Sequence, residues 1–184
     1  MIRPMTQDDL YDVLDIYNHA IEHTTAVYTY DPVMITERLV WFTEKLEREE
    51  PLLVYDIDSH VAGFATYGSF RDWPAYRYTV EHSIYVDPNY QGRGVATQLL
   101  TELIRLARES GYHTMVTGID AENSASIALH QKFNFRHCGT VTEVGHKFGR
   151  WLDLAFYQLH VEGWGFFCEY LIYNDAVAVC IWVG

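Results

Sequence analysis

Apolar residues return every three or four positions after Thr6, so that Leu10, Val13, Leu14, Tyr17 and Ile21 fall on one helical face. Thr6-Gln7-Asp8-Asp9 opens that helix as a capping box, with Thr6 as N-cap and Asp9 three residues on. A second helix is predicted from Thr36 through Glu47, where Leu39, Phe42 and Leu46 keep the period. Pro51 ends the charged run Glu47-Arg48-Glu49-Glu50, which reads as a solvated helix end. The pattern then changes. Leu52 to Ile57, the turn Asp58-Ser59-His60, and Val61 to Tyr67 predict a hairpin. Tyr78 to Val86 reads as a strand, and Val95 to Ser110 as a long helix stopped by Gly111. His113 to Ile119 follows as a strand and Ser124 to Phe133 as a short helix. Phe135 to Val144 and Trp151 to Leu159 are the last two strands. Elements mixed in this order predict an α/β fold with a central sheet of about six or seven strands.

Composition narrows the class. The chain has 184 residues, about one domain, and 49% of them are apolar without any run as long as a membrane span. A soluble globular protein with no membrane partner is expected. Met1-Ile2-Arg3-Pro4 carries no apolar signal core, and three widely spaced cysteines (Cys138, Cys168 and Cys180) fit a reducing compartment, so the cytoplasm is the expected location. A formal net charge of −12 argues against a nucleic-acid partner, because such binding rests on neutralising phosphates. It does not argue against one small anionic ligand, since Arg71, Arg77 and Arg93 gather around a single segment. From residue 161 to 184 the chain turns aromatic and β-branched with few charges. Two readings of that extension stand: an added tail without function, or an extra strand or partner-binding edge.

The most informative segment is Glu81 to Ala96. A strand runs into a glycine-bearing turn, and the turn opens a helix, which leaves backbone N–H groups and a favourable dipole facing outward. That suits a pyrophosphate. A P-loop would need Lys-Ser or Lys-Thr after its last glycine, and Gly94 is followed by Val95-Ala96. A dinucleotide-binding turn would need a third glycine near Thr97.

The side chains around this segment include a carboxylate able to accept a proton and arginines able to hold an anion. An amino group is mostly protonated at neutral pH, and a nearby carboxylate is the simplest acceptor for its proton. Glu81 is the candidate. On an alternating strand it shares a face with Thr79, Ser83 and Tyr85, while His82 and Ile84 point the other way. The alternative is an ion pair between Glu81 and Arg77 or another base. Arg71 and Arg77 are candidates for binding an oxyanion such as a carboxylate, with Trp73, Tyr76 and Tyr30 as pocket walls. Arg93 reads either as a phosphate contact or as a solvated side chain. Asn123 suits an N-cap. His130 titrates in the useful range but fits packing equally well. His19 and His23 have a metal-binding spacing without a third ligand, and no metal is expected.

Gln91-x-x-Gly94-x-Ala96 after an apolar strand resembles the acetyl-coenzyme A loop of the GNAT acetyltransferases. Further segments make residues 2–160 similar to the phosphinothricin and methionine sulfoximine N-acetyltransferase branch. These are Ile16-Tyr17-Asn18-His19-Ala20, Arg77 to Ser83, Gly118 to Asn123, Ala128-Leu129-His130, and Lys147 to Leu154. The resemblance implies a GNAT fold over residues 1–160, acetyl-CoA as co-substrate and a homodimer. It implies Glu81 and His130 as catalytic residues. For the cofactor it implies Ile84, Tyr85, Val86, Gln91, Gly92, Arg93, Gly94, Val95, Ala96, Thr97 and Asn123. For the acceptor, Arg71, Asp72, Trp73, Pro74, Arg77, Glu81, His82 and Ser83 are expected. One departure from the family pattern is Asn134 where glycine is common, and Asn tolerates the left-handed turn required there. The loop Phe70 to Tyr76 keeps an arginine but changes its neighbours. Rival activities are acetylation of a protein N-terminus or lysine, and acetyl-CoA sensing without turnover.

Overall fold

The computed structural model describes residues 1–161, so both readings of the C-terminal extension lie outside the described residues. Seven strands form one sheet: β1 (Ile2–Pro4), β2 (Leu52–Ile57), β3 (His60–Ser69), β4 (Thr79–Val86), β5 (Thr114–Asp120), β6 (Arg136–Lys147) and β7 (Arg150–His160). Their order is β1-β2-β3-β4-β5-β7-β6, and only β4 and β5 run parallel. Among the described residues four α-helices cover the faces: α1 (Leu10–His23), α2 (Ile35–Glu47), α3 (Val95–Glu109) and α4 (Ser124–Lys132).

Alternation along the strands sends residues to two cores. Leu53, Val80, Met115 and Ile119 meet the buried face of α3, where Leu99, Leu100, Leu103 and Ala107 are fully or nearly fully excluded from solvent. Leu52, Val54 and Phe64 meet Val13 and Ile16 of α1 and Phe42 of α2 on the other side. The Asp9 carboxylate accepts hydrogen bonds from the Thr6 N–H at 2.7 Å and the Thr6 hydroxyl at 3.0 Å, which closes the predicted start of the first helix. Asn134 holds a φ of 63°, the left-handed turn expected of it.

Three expectations need correction. The buried side of α2 carries Arg38 and Phe42, whereas Leu39 and Leu46 are exposed. Glu50 is not solvated: its side chain is only 8% exposed and pairs with Lys45 Nζ at 2.6 Å. Strand β6 runs on to Lys147, and Phe148-Gly149 forms the turn into β7 with both φ values positive. Most of β6 is exposed on both faces, so no apolar alternation marks its length. Strand β1 is an element the periodicity misses, because three residues are too short to show a period.

Candidate active site

The parallel ladder between β4 and β5 has three rungs, Thr79 with Thr114, Val80 with Met115 and Glu81 with Val116. After Glu81 the strands diverge. Among the described residues the β5-facing edge of Ser83 to Val86 therefore has no strand partner, and its backbone polar groups are available to a ligand. A cleft of about 660 Å³ fills the gap. His82, Ser83, Ile84, Tyr85 and Val86 line it from β4, and Asn123 and His130 from α4.

At the far end of β4 the chain turns through Pro88-Asn89-Tyr90 into Gln91 to Gly94. Gly92 and Gly94 have φ of 73° and 81°, conformations that side chains with a Cβ rarely adopt. Gly94 is the N-cap of α3, so the N–H groups of Val95, Ala96 and Thr97 lack intrahelical acceptors and face the ligand space. Gln91, Gly92, Gly94, Val95, Ala96 and Thr97 all line the cleft. Arg93 does not. Its guanidinium lies 5.2 Å from the Tyr90 ring centroid on the exposed side of the turn.

Glu81 stands where the ladder ends, its side chain 38% exposed. Burial pushes its carboxyl above the ordinary carboxylate range, and the Arg71 guanidinium opposes that shift from 3.9 Å. Arg71 Nη1 also donates to the Phe70 carbonyl at 2.7 Å. Arg77 is not the partner of Glu81; it lies over the Tyr78 ring at 4.6 Å. Asp72, Trp73 and Pro74 are exposed in the loop before β4 and do not line the cleft. Tyr30, read as a pocket wall, is exposed and donates its hydroxyl to the His146 carbonyl at 2.7 Å.

His82 is turned away from Glu81, as strand alternation requires. Its ring stacks on His130 with centroids 5.1 Å apart and planes 20° from parallel. His130 Nδ1 donates to the Ser126 carbonyl at 2.7 Å, which assigns the proton to Nδ1 and leaves Nε2 as an acceptor. Nε2 is buried without a partner among the described residues. Burial lowers the His130 pKa despite the Ser126 carbonyl. Burial, followed by the neighbouring His130, pushes His82 down to about 3. Both rings are neutral at pH 7. Asn123 Oδ1 accepts the Ser126 N–H at 3.0 Å, so it is the N-cap of α4 as well as a cleft residue.

The model of the acetyltransferase (GNAT) family matches residues 10–135. The chain belongs to the GNAT family. Among relatives, it is 42% identical over 161 residues to the L-methionine sulfoximine/L-methionine sulfone acetyltransferase of Salmonella typhimurium, covering 88% of this chain and 94% of that protein. Among solved structures, an N-acetyltransferase from Staphylococcus aureus Mu50 superposes with a TM-score of 0.87 at 58% identity, over 88% of this chain and 98% of that one. The putative acetyltransferase yncA from Salmonella typhimurium, solved with its cofactor acetyl-CoA, has a TM-score of 0.86 at 42% identity, over 88% and 94% of the two chains.

In this GNAT protein the cleft also uses residues that sequence reasoning did not assign to it. Ile16 and Ala20 of α1 line it, and neither lies on the face that the apolar period assigns to that helix. Thr117 to Asp120 of β5 form the opposite wall. Asp120 is buried; its Oδ1 accepts the Glu122 N–H at 3.0 Å, and its Oδ2 is 3.9 Å from Arg150. A buried carboxylate near the end of an apolar strand is the signal that marks that wall. The segment after α1 is pinned by Lys147, whose buried Nζ donates to the carbonyls of Ile21 at 2.6 Å, Thr24 at 2.9 Å and Val27 at 2.7 Å. A cation there satisfies the last carbonyls of α1 and complements its dipole. Thr24 and Ala26, held by this anchor, complete the α1 side of the cleft.

Proposed function

We propose that this protein acetylates the α-amino group of a small amino acid or analogue, with Glu81 as general base. Methionine sulfoximine, methionine sulfone and phosphinothricin are the acceptor types. The observation that carries the reading is the position of Glu81, a carboxylate with a raised pKa at the closed end of the β4–β5 gap.

Acetyl-CoA is the acyl donor, and when bound it supplies a thioester whose carbonyl is open to an amine. The residues present fit it. Exposed N–H groups at the start of α3 suit a pyrophosphate, and the unpaired edge of β4 suits the amide groups of a pantetheine arm. Gln91 to Thr97 hold the phosphates, with Arg93 adding charge from outside the turn. Asn123 serves the opposite wall.

Glu81 takes the proton of the incoming ammonium, directly or through one water, and the raised pKa brings it nearer to that task at neutral pH. Backbone N–H groups along Ser83 to Val86 offer donors to oxygen that gains negative charge. His130 rests neutral with its proton on Nδ1 toward the Ser126 carbonyl, so Nε2 holds no resting proton to give a leaving thiolate. Arg71, beside Glu81, binds the acceptor's carboxylate.

The test is release of free thiol from acetyl-CoA with phosphinothricin, methionine sulfoximine, methionine sulfone, ordinary amino acids and a basic peptide. Release with the small analogues alone is expected. Release with the peptide alone would make this a protein acetyltransferase. Silence across the panel with acetyl-CoA still bound would favour a sensor.

A further inference from the structure

Arg38 carries an unexplained charge. It is 5% exposed on the buried face of α2, forms no ion pair among the described residues, and its Nε has no hydrogen-bond partner. Leaving a buried guanidinium without an anion is costly, and burial lowers its pKa. The adjacent Glu37 lines the same recess and favours the charge, but its carboxylate accepts the Met34 N–H at 2.7 Å and forms no ion pair with Arg38. Two aromatic faces hold the cation instead: its Cζ is 3.9 Å from the Tyr17 centroid and 4.5 Å from that of Trp41. Tyr17 also favours the charge through a side-chain hydrogen bond, while Nε on the guanidinium edge keeps no partner and is left for a ligand.

Arg38 lines a recess of about 240 Å³ together with Glu37, Trp41, Phe64, Ser83 and Tyr85, among others. Ser83 and Tyr85 line the large cleft as well, so the recess adjoins it. Both lie on the same face of β4 as Glu81, and Ser83 is two residues away, about 7 Å along a strand.

Resting on the acceptor reading above, we infer that this recess binds the side-chain oxygen of the acceptor, a sulfonyl, sulfoximine or phosphinate oxygen, on the edge of Arg38. The α-carboxylate then pairs with Arg71 next to Glu81, the amine faces Glu81, and the distal oxygen reaches into the recess. Selectivity for oxidised over thioether side chains resides in Arg38. Arg71 recognises the carboxylate common to both.

The test is the ratio of kcat/KM for L-methionine sulfone to that for L-methionine, in the wild type, Arg38→Lys, Arg38→Gln and Arg71→Gln. Wild-type enzyme should prefer the sulfone. Arg38→Gln should lower that preference by about 10- to 100-fold, the loss of a charge-assisted hydrogen bond, with little change in the KM for acetyl-CoA. Arg38→Lys should fall between, and Arg71→Gln should weaken both acceptors alike. An unchanged ratio in Arg38→Gln would overturn the inference and leave the acetyltransferase reading standing, with Arg38 a packing clamp. No thiol release by the wild type with any acceptor would remove both. A structure of the wild-type enzyme with L-methionine sulfone decides the matter even if the variants do not fold. A sulfonyl oxygen within hydrogen-bond distance of Arg38 supports the inference, and one directed elsewhere overturns it.

Discussion

Glu81 and Val116 form the last rung of the β4–β5 ladder, and the cleft begins one residue further on. A parallel pair that stops pairing part-way leaves one strand with unmet backbone groups, and that edge is where an extended ligand can add itself to the sheet. Glu81 is therefore fixed by sheet register at the closed end of the cleft, where the proposed function needs its base. Its environment follows from the same position: buried enough to raise its pKa, open enough to meet an amine.

Arg71 is the charge that restrains Glu81. Burial raises the Glu81 pKa and Arg71 lowers it, so Arg71→Ala should raise it further. The base must be ionised to act, and the acidic limb of the kcat/KM profile should then move to higher pH. A profile that loses height without moving its limb would assign Arg71 to binding alone.

The stacked histidines make the fold sensitive to acid. The folded-state pKa of His82, about 3, lies below its unfolded value of about 6.5. Its contribution is complete above the unfolded pKa and is lost as pH falls toward the folded one, because only the unfolded chain takes up the proton. Each such group contributes a slope of about 1.4 kcal/mol per pH unit in that window. His82→Phe keeps a ring against His130 and Phe135, and should make the fall in unfolding free energy between pH 6 and 4 shallower by about one proton. Parallel slopes in urea titrations would contradict this.

Lys147 holds three carbonyls that nothing else among the described residues is shown to satisfy. Lys147→Met keeps most of the stem and removes the donors, and should lower stability by about 3 kcal/mol. The urea midpoint should fall with an unchanged m value. A loss below about 0.5 kcal/mol, the range of ordinary surface changes, would mean that water replaces the ammonium.

What could be read from the sequence follows from how each element is buried. Helix α3 keeps a clean stripe from Val95 to Ala107, and β4 carries a turn whose glycines announce its ligand space, so both were legible. Helix α2 misled because Arg38 occupies a core position, and a pattern of apolar letters assigns that face to Leu39 and Leu46. Strand β6, exposed on both faces, has no alternation to read. The point where β4 leaves β5 is a property of long-range register, which no local window contains. Ile16 and Ala20 are buried and line the cleft beside the face that the apolar period picks out, so that period does not single them out.

The most direct test of the account is the pH dependence of kcat/KM for Glu81→Gln with L-methionine sulfone. If Glu81 removes the amine's proton, the variant should lose about 10²- to 10⁴-fold near neutral pH, and the acidic limb of the wild-type profile should vanish. The KM for acetyl-CoA should stay near the wild-type value. Turnover equal to that of the wild type across the pH range would contradict the general-base role.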